Sequence, residues 1–329
     1  MRIPRCGGDV AWTLSRRDAL SGLASGLTVT AFALAAGSGA LAADASQLGA
    51  KQLAFRQVDV FSPEPFRGNP LAVVIAADGL TDEQMKLFSK WTNLSETTFL
   101  LRPTNPMADY RVRIFSLGEE LPFAGHPTLG SCHVWLASGG RPQGAEIVQE
   151  CGVGLVRLRG KAGRLAFDAP PLRRSTPLDP ETLSRIRLGL GLTDDEIVAS
   201  RLLDAGLQQS AVLIKSRERL LGLKPDWAKL SSDGVGLVAP WSSTPGTGHP
   251  NFEVRVFDPT LNGGEDPVTG SFNASVARWL IGAGLAPEHY VVSQGTVLGR
   301  AGRVYVDRDH DRFWIGGDIS DRIAGQLTF

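Results

Sequence analysis

Two short stretches of this chain share half their residues in register. His126-Pro127-Thr128-Leu129-Gly130-Ser131 and Asp266-Pro267-Val268-Thr269-Gly270-Ser271 lie 140 residues apart and share proline, glycine and serine in register. The first continues Cys132-His133-Val134-Trp135-Leu136, the second Phe272-Asn273-Ala274-Ser275-Val276-Ala277. Proline is favoured in the first turn of a helix, so each copy reads as a helix opening at 126–127 and at 266–267. A repeat spaced by about half the chain predicts two similar halves facing each other.

Around these helices the pattern is mostly strand. Tyr110-Arg111-Val112-Arg113-Ile114-Phe115 and Phe252-Glu253-Val254-Arg255-Val256-Phe257 alternate apolar and charged residues, the period of a half-buried strand. On that reading Arg111, Arg113 and Arg255 lie on solvated faces. Apolar runs at 71–75, 98–101, 153–158, 211–214 and 303–306 add further strands. Thr81-Asp82-Glu83-Gln84 is a capping box for a helix with Met85, Phe88 and Trp91 inward. Asp179-Pro180 and Thr193-Asp194-Asp195-Glu196 open two more helices. Strands in runs between isolated helices predict an α+β fold rather than a doubly wound sheet. Cys151-Gly152-Val153-Gly154 lacks the third glycine of a dinucleotide-binding turn. The chain's 329 residues suffice for about two domains.

The N-terminus reads as an export signal. Arg2, Arg5, Arg16 and Arg17 precede a mildly apolar stretch with no charge over residues 19–43. Small-residue cleavage sites follow at Ala40-Leu41-Ala42 and Ala43-Asp44-Ala45. Ser15-Arg16-Arg17-Asp18 matches a twin-arginine signal, which predicts a periplasmic or secreted protein without a membrane span after cleavage of residues 1–45. Lys plus Arg equals Asp plus Glu, 34 each, which argues against nucleic-acid binding through a global basic field. Cleavage after Ala42 leaves 30 basic and 32 acidic residues. Cys132 and Cys151 then remain in a compartment that permits a disulfide. No Cys or Asp stands at ligand spacing from His126 or His133, so no metal is expected.

A helix N-terminus presents free N–H groups and partial positive charge, and glycine there lets a ligand approach the backbone. Two such ends facing one cleft would bind a small anion such as a carboxylate. His126 and Asp266 either flank that ligand or simply cap the helices. Glu96, in Asn93-Leu94-Ser95-Glu96-Thr97-Thr98-Phe99, is either a solvated strand-end residue or a general acid/base at the cleft edge.

Four motifs in order carry a family resemblance. Val58-Asp59-Val60-Phe61 with Pro65-Phe66-Arg67-Gly68-Asn69-Pro70, then Ser95-Glu96-Thr97-Thr98-Phe99, then Pro122-Phe123-Ala124-Gly125-His126-Pro127, then Gly264-Glu265-Asp266-Pro267-Val268-Thr269-Gly270-Ser271 resemble the PhzF-like phenazine-biosynthesis family over roughly residues 53–329. The resemblance implies a diaminopimelate epimerase-like fold with two pseudo-symmetric, strand-rich lobes, each around a central helix. The lobes would span 53–170 and 171–329, and the last strand could return to the first lobe.

The resemblance also implies roles. Glu96 matches the glutamate that moves a proton between substrate carbons. His126 and Asp266 match polar residues that orient the substrate, and Gly125, Gly270 and Ser271 match positions that bind its carboxylate region. The implied activity is a cofactor-independent isomerase like that acting on trans-2,3-dihydro-3-hydroxyanthranilate, with a small carboxylate substrate and a homodimeric assembly. Two alternatives stand beside it. One is an amino-acid racemase using paired cysteines, although Cys132 reads as an apolar helix position and Cys151 lacks a symmetric partner. The other is a ligand-binding homologue without chemistry. Phe272 and Asn273 depart from the small residues usual after the Gly-Ser pair.

Overall fold

Branched and aromatic residues recur in short runs from Lys51 to the C-terminus, and they form strands wherever a neighbouring strand completes their hydrogen bonds. The computed structural model describes residues 51–230, 234–241, 249–261 and 263–329. The export segment expected over 1–45 lies outside these described residues.

The first half contains β1 (Gln52–Val60), β2 (Asn69–Val74), α1 (Asp82–Thr92), β3 (Thr97–Leu101), β4 (Tyr110–Ser116), β5 (Glu119–Leu121) and α2 (Gly125–Ala137). It continues with β6 (Ile147–Cys151), β7 (Gly154–Lys161) and β8 (Arg164–Asp168). The second half contains β9 (Arg174–Thr176), α3 (Pro180–Leu190), β10 (Ile197–Asp204), β11 (Gln208–Ile214), α4 (Arg217–Gly222), β12 (Val235–Pro240), β13 (Phe252–Phe257) and β14 (Glu265–Asp266). Then follow α5 (Gly270–Gly282), β15 (His289–Gln294), β16 (Gly302–Asp309), β17 (Arg312–Gly317) and β18 (Ile319–Thr328).

The strand order shows an internal duplication. One run goes β18-β1-β2-β3-β4-β6-β7-β8, and the other goes β9-β10-β11-β12-β13-β15-β16-β17. In both, the third and fifth pairings are parallel and the others antiparallel. The short strand before each central helix corresponds as well, with β5 on β4 and β14 on β13. β8 pairs with β17 and joins the two runs, while β18 crosses back to pair with β1. This is a strand-rich α+β fold, and Ala50–Phe329 form one compact unit.

The duplication corrects the register of the sequence repeat. α2 begins at Gly125 with Ala124 as N-cap, and α5 begins at Gly270 with Thr269 as N-cap. The matching positions are therefore Pro122 with Pro267 and Gly125 with Gly270, 145 residues apart rather than 140. Asp266-Pro267 does not open a helix. Asp266 ends a strand, and three residues of turn separate it from α5. His126 now pairs with Ser271, and Cys132 with Ala277. Neither His126 nor Asp266 caps a helix.

α2 and α5 are apolar on nearly every side and sit in one core. Leu129, Cys132 and Val134 meet that core from α2, and Phe272, Val276 and Leu280 from α5. A helix buried all round has no polar face, so its strands must wrap it. β4 alternates buried and half-buried residues from Tyr110 to Ile114 as its pattern predicts, and Phe115 is buried as well. β13 does not, because all six of its residues are buried. Arg255 is not solvated. It forms a buried pair with Glu265 at 2.9 and 2.7 Å and donates to the carbonyls of Leu220 and Leu223 at the end of α4. Arg113 is also engaged, between Asp82 and Glu120.

Two smaller expectations change. Met85 is buried and Phe88 packs inward, but Trp91 is exposed and stacks on Phe88. The second predicted helix after 179 is a single 3-10 turn, Asp194–Glu196, which runs straight into β10. Cys132 and Cys151 are both free.

Candidate active site

Each candidate side chain is placed by a local rule before the two halves meet. Glu96 stands in the link between α1 and β3. The capping box of Thr81 and Gln84 fixes the start of α1, and Asn93 in the left-handed region ends it. Asn69 opens β2. The turn before it is held by Asp59, whose carboxylate accepts from the backbone N–H of Arg67 at 2.9 Å and Gly68 at 3.0 Å. Only glycine fits at 68, since a Cβ there would lie 2.2 Å from the Val60 carbonyl oxygen. Asp266 sits on β14, opposite Val256. Gln294 secures the turn that follows. Its side-chain oxygen accepts from Thr269 N–H and the Asn273 amide, and its amide donates to Asp266 O and Thr269 Oγ1.

The fold brings Glu96, His126 and Asp266 into one cluster, with Asn69 at its centre. Asn69 is fully buried and its amide nitrogen donates to Asp266 Oδ1 at 2.8 Å and to Val268 O at 2.9 Å. Its oxygen accepts from Ser95 Oγ at 3.2 Å. A reversed amide would set oxygen against oxygen on two sides, so its orientation is fixed. The same nitrogen is 3.3 Å from His126 Nδ1. A ring hydrogen on Nδ1 would face another donor, so Nδ1 is bare and Nε2 carries the hydrogen. Nε2 in turn points at Glu96 Oε2 across 3.4 Å. Neither of these last two atoms has a hydrogen-bond partner of normal geometry.

Burial sets the charge states. Desolvation, with the neighbouring Asp266 carboxylate adding to it, pushes the Glu96 carboxyl up to about 8. Asp266 is also raised by burial, to about 6, with Thr269, Asn69 and the Val268 backbone opposing the rise. Burial lowers His126 to about 3, so its ring is neutral near pH 7. Two carboxyls in one site are thus driven apart, one holding its proton near neutrality and one ionised. A carboxyl with a pKa close to working pH can both accept and return a proton.

The other predicted site residues fall differently. Gly125 and Gly270 pack against each other, and a Cβ on either would come within 2.6–2.9 Å of the other's backbone. Their lack of side chains lets the two helix ends meet. Ser271 lines a separate crevice of about 10 Å³ with Phe123 and Gln209. A larger cavity, about 360 Å³, opens beside the acid cluster and is lined by Asn69, Ser95, Glu265, Pro267, Leu298 and Arg300, among others. Among the described residues no group of three His, Cys, Asp or Glu is placed to hold a metal.

Sequence reasoning assigned no role to Asn69, Ser95 or Arg300. Asn69 and Ser95 stood inside quoted motifs, so position in a motif was the available signal. Arg300 had none, since only the cavity it lines brings it to the site. The strand-start mate of Glu96 in the second half is Gly234, just before β12. No second acid/base stands at the symmetric position. Cys132 is buried and its thiol is pushed up to about 12, which suits a core residue rather than a nucleophile.

A family model described as phenazine biosynthesis-like protein, PhzC-PhzF, matches residues 58–318. Over 293 residues the chain is 34% identical to antisense-enhancing sequence 1 of Schizosaccharomyces pombe, covering 83% of this chain and 97% of that protein. It is 32% identical over 283 residues to an uncharacterized isomerase of Pasteurella multocida, covering 83% and 93%. The solved structure of a predicted epimerase from Pseudomonas aeruginosa is similar at a TM-score of 0.69, with 28% identity over 84% of this chain and 99% of that one.

Proposed function

This chain belongs to the phenazine biosynthesis-like PhzC-PhzF family and is an isomerase, and from that premise we propose that it moves a proton on a small carboxylate-bearing substrate through Glu96 alone, without metal or organic cofactor. The reaction resembles isomerisation of trans-2,3-dihydro-3-hydroxyanthranilate. The observation that carries the proposal is the buried Glu96 carboxyl, raised to about 8, whose Oε2 faces His126 Nε2 at 3.4 Å with no hydrogen-bond partner of normal geometry and which follows Ser95 on the cavity wall.

In the proposed step the Glu96 carboxylate takes a proton from a substrate carbon, and the electron pair left behind spreads into the substrate's conjugated system. The carboxylic acid so formed returns the proton to a second carbon, so nothing is oxidised or reduced. His126 Nε2–H holds Glu96 and the substrate in line, and Asp266, fixed by Asn69, accepts a hydrogen bond from the substrate. A racemase with paired thiol bases is not favoured, since His126 and Ser271 occupy the symmetric helix-end positions.

The test is solvent-deuterium incorporation into candidate substrates. The wild-type protein should label product, and Glu96→Gln should lose at least about 10²-fold in rate. Normal turnover by that variant would refute the assignment, and binding without any label would support a non-catalytic homologue. The proposal includes export through residues 1–45 and a homodimer. Mass spectrometry of the mature N-terminus and sedimentation of the purified protein test those two parts.

A further inference from the structure

The cavity beside the acid cluster has walls from both halves. Asn69, Ser95 and Leu117 come from the first, and Glu265, Leu298 and Arg300 from the second. Among the described residues only two that line it are charged, Glu265 and Arg300. The charge of Glu265 is already matched, because both its oxygens bind Arg255. Arg300 differs from the ion-paired arginines nearby, Arg67 and Arg255. Among the described residues no carboxylate pairs with it, and its one side-chain hydrogen bond runs from Nη1 to the backbone carbonyl of Phe66 at 2.8 Å.

The backbone around Arg300 is held in place. Its own N–H donates to Gly295 O at 2.9 Å, and Ala301 N–H donates to Arg67 O at 2.7 Å. Thr296 Oγ1, in the same turn, donates to the buried Glu253 at 2.6 Å. The guanidinium is thus carried on a braced turn, with one arm tied to the first half and Nε and Nη2 unspoken for. A guanidinium with two donors on one edge matches a carboxylate in shape and charge.

Resting on the isomerase reading of this cleft, we infer that Arg300 is its anion-binding residue and that it selects substrates with a free carboxylate over their neutral amides. The carboxylate seats on the unused guanidinium edge, which places the rest of a small molecule in a cavity of about 360 Å³ against Asn69, which holds Asp266, and Ser95, whose chain neighbour is Glu96. Asp266, on the far side of Asn69, is a carboxylate itself, so an anion is held at Arg300 rather than at the acid cluster.

Calorimetric titration of the full chain with anthranilate and with anthranilamide tests this. Wild type should bind the acid roughly tenfold tighter or more, as expected for a charge-assisted pair, and the margin should shrink in high salt. Arg300→Gln should bring the two ligands within about twofold, while Arg300→Lys, which keeps charge without the fork, should retain part of the preference. Glu96→Gln should keep the full preference although it no longer exchanges deuterium. A wild type that does not prefer the acid, or an Arg300→Gln that still does, overturns the inference. If Arg300→Gln loses the preference but Glu96→Gln still exchanges deuterium, the anion site stands and the catalytic reading falls.

Discussion

Glu96→Gln should stop the reaction and, near neutral pH, make the protein more stable. A carboxyl whose pKa is about 4.5 when free and about 8 when folded takes up a proton on folding. The wild type therefore loses stability as pH rises through that window, and the loss is absent below it. Between pH 4.5 and 7, at about 1.4 kcal/mol per pH unit, the cost approaches about 3 kcal/mol. Glutamine keeps the shape, can still turn its oxygen toward His126 Nε2, and has no proton to take up. Burying its amide offsets part of the gain, leaving about 1–3 kcal/mol at pH 7. At roughly 2 °C per kcal/mol for a chain of this length, Tm should rise by about 2–6 °C. Thermal unfolding of both proteins by circular dichroism at pH 4, 7 and 8 measures it. At pH 4 the variant should be no more stable than wild type, and the difference should move in its favour as pH rises. A gap that does not change with pH, or a variant less stable than wild type at pH 7, would refute the buried, proton-holding state of Glu96. Such a trade of stability for activity is common where a site holds a group in an unfavourable setting.

If Glu96 acts first as a base, kcat/KM of the wild type should climb from pH 6 to 8, and a profile flat across that range would contradict the role. Asn69→Ala should cost about 2–4 kcal/mol by leaving buried acceptors unmet, measured by urea unfolding. Because Asp266 would then keep its proton to higher pH, the loss should be greater at pH 8 than at pH 5, where the folded carboxyl is protonated in both proteins. Gly270→Ala forces a Cβ to within 3.0 Å of the Gly125 backbone and should destabilise by about 1–3 kcal/mol or more, with a lowered Tm. Arg255→Met leaves Glu265 buried without its partner and should cost about 3–5 kcal/mol, whereas Arg255→Met with Glu265→Leu should regain much of it.

Much of this fold was legible. Period-two alternation marked β4, short apolar runs marked β2, β3, β7, β11 and β16, and proline and capping boxes marked α1 and α3, because those signals act between neighbours in the chain. Burial was harder. The alternation in β13 looked like a solvated face, yet Glu253 and Arg255 are buried with ionic partners from other segments, Arg217 and Glu265. Alternation alone gives the same pattern for a charge in water and a charge in a buried pair. The repeat showed the same limit. Shared Pro, Gly and Ser pointed to a duplication, but at an offset of 140 rather than 145, because where a helix starts is decided by the strand before it and the glycine contact between helix ends.

The chain's own order of residues determined a strand-rich α+β protein with two related halves, and put a glutamate, a histidine and an aspartate in separate motifs as candidates. Only the tertiary structure decided that Asn69 joins them, that Glu96 holds its proton near neutral pH, and that Arg300 faces the same cavity. Those properties come from desolvation and from hydrogen bonds between residues up to about two hundred positions apart, such as Asn69 to Val268, and neither exists until the two halves close on each other.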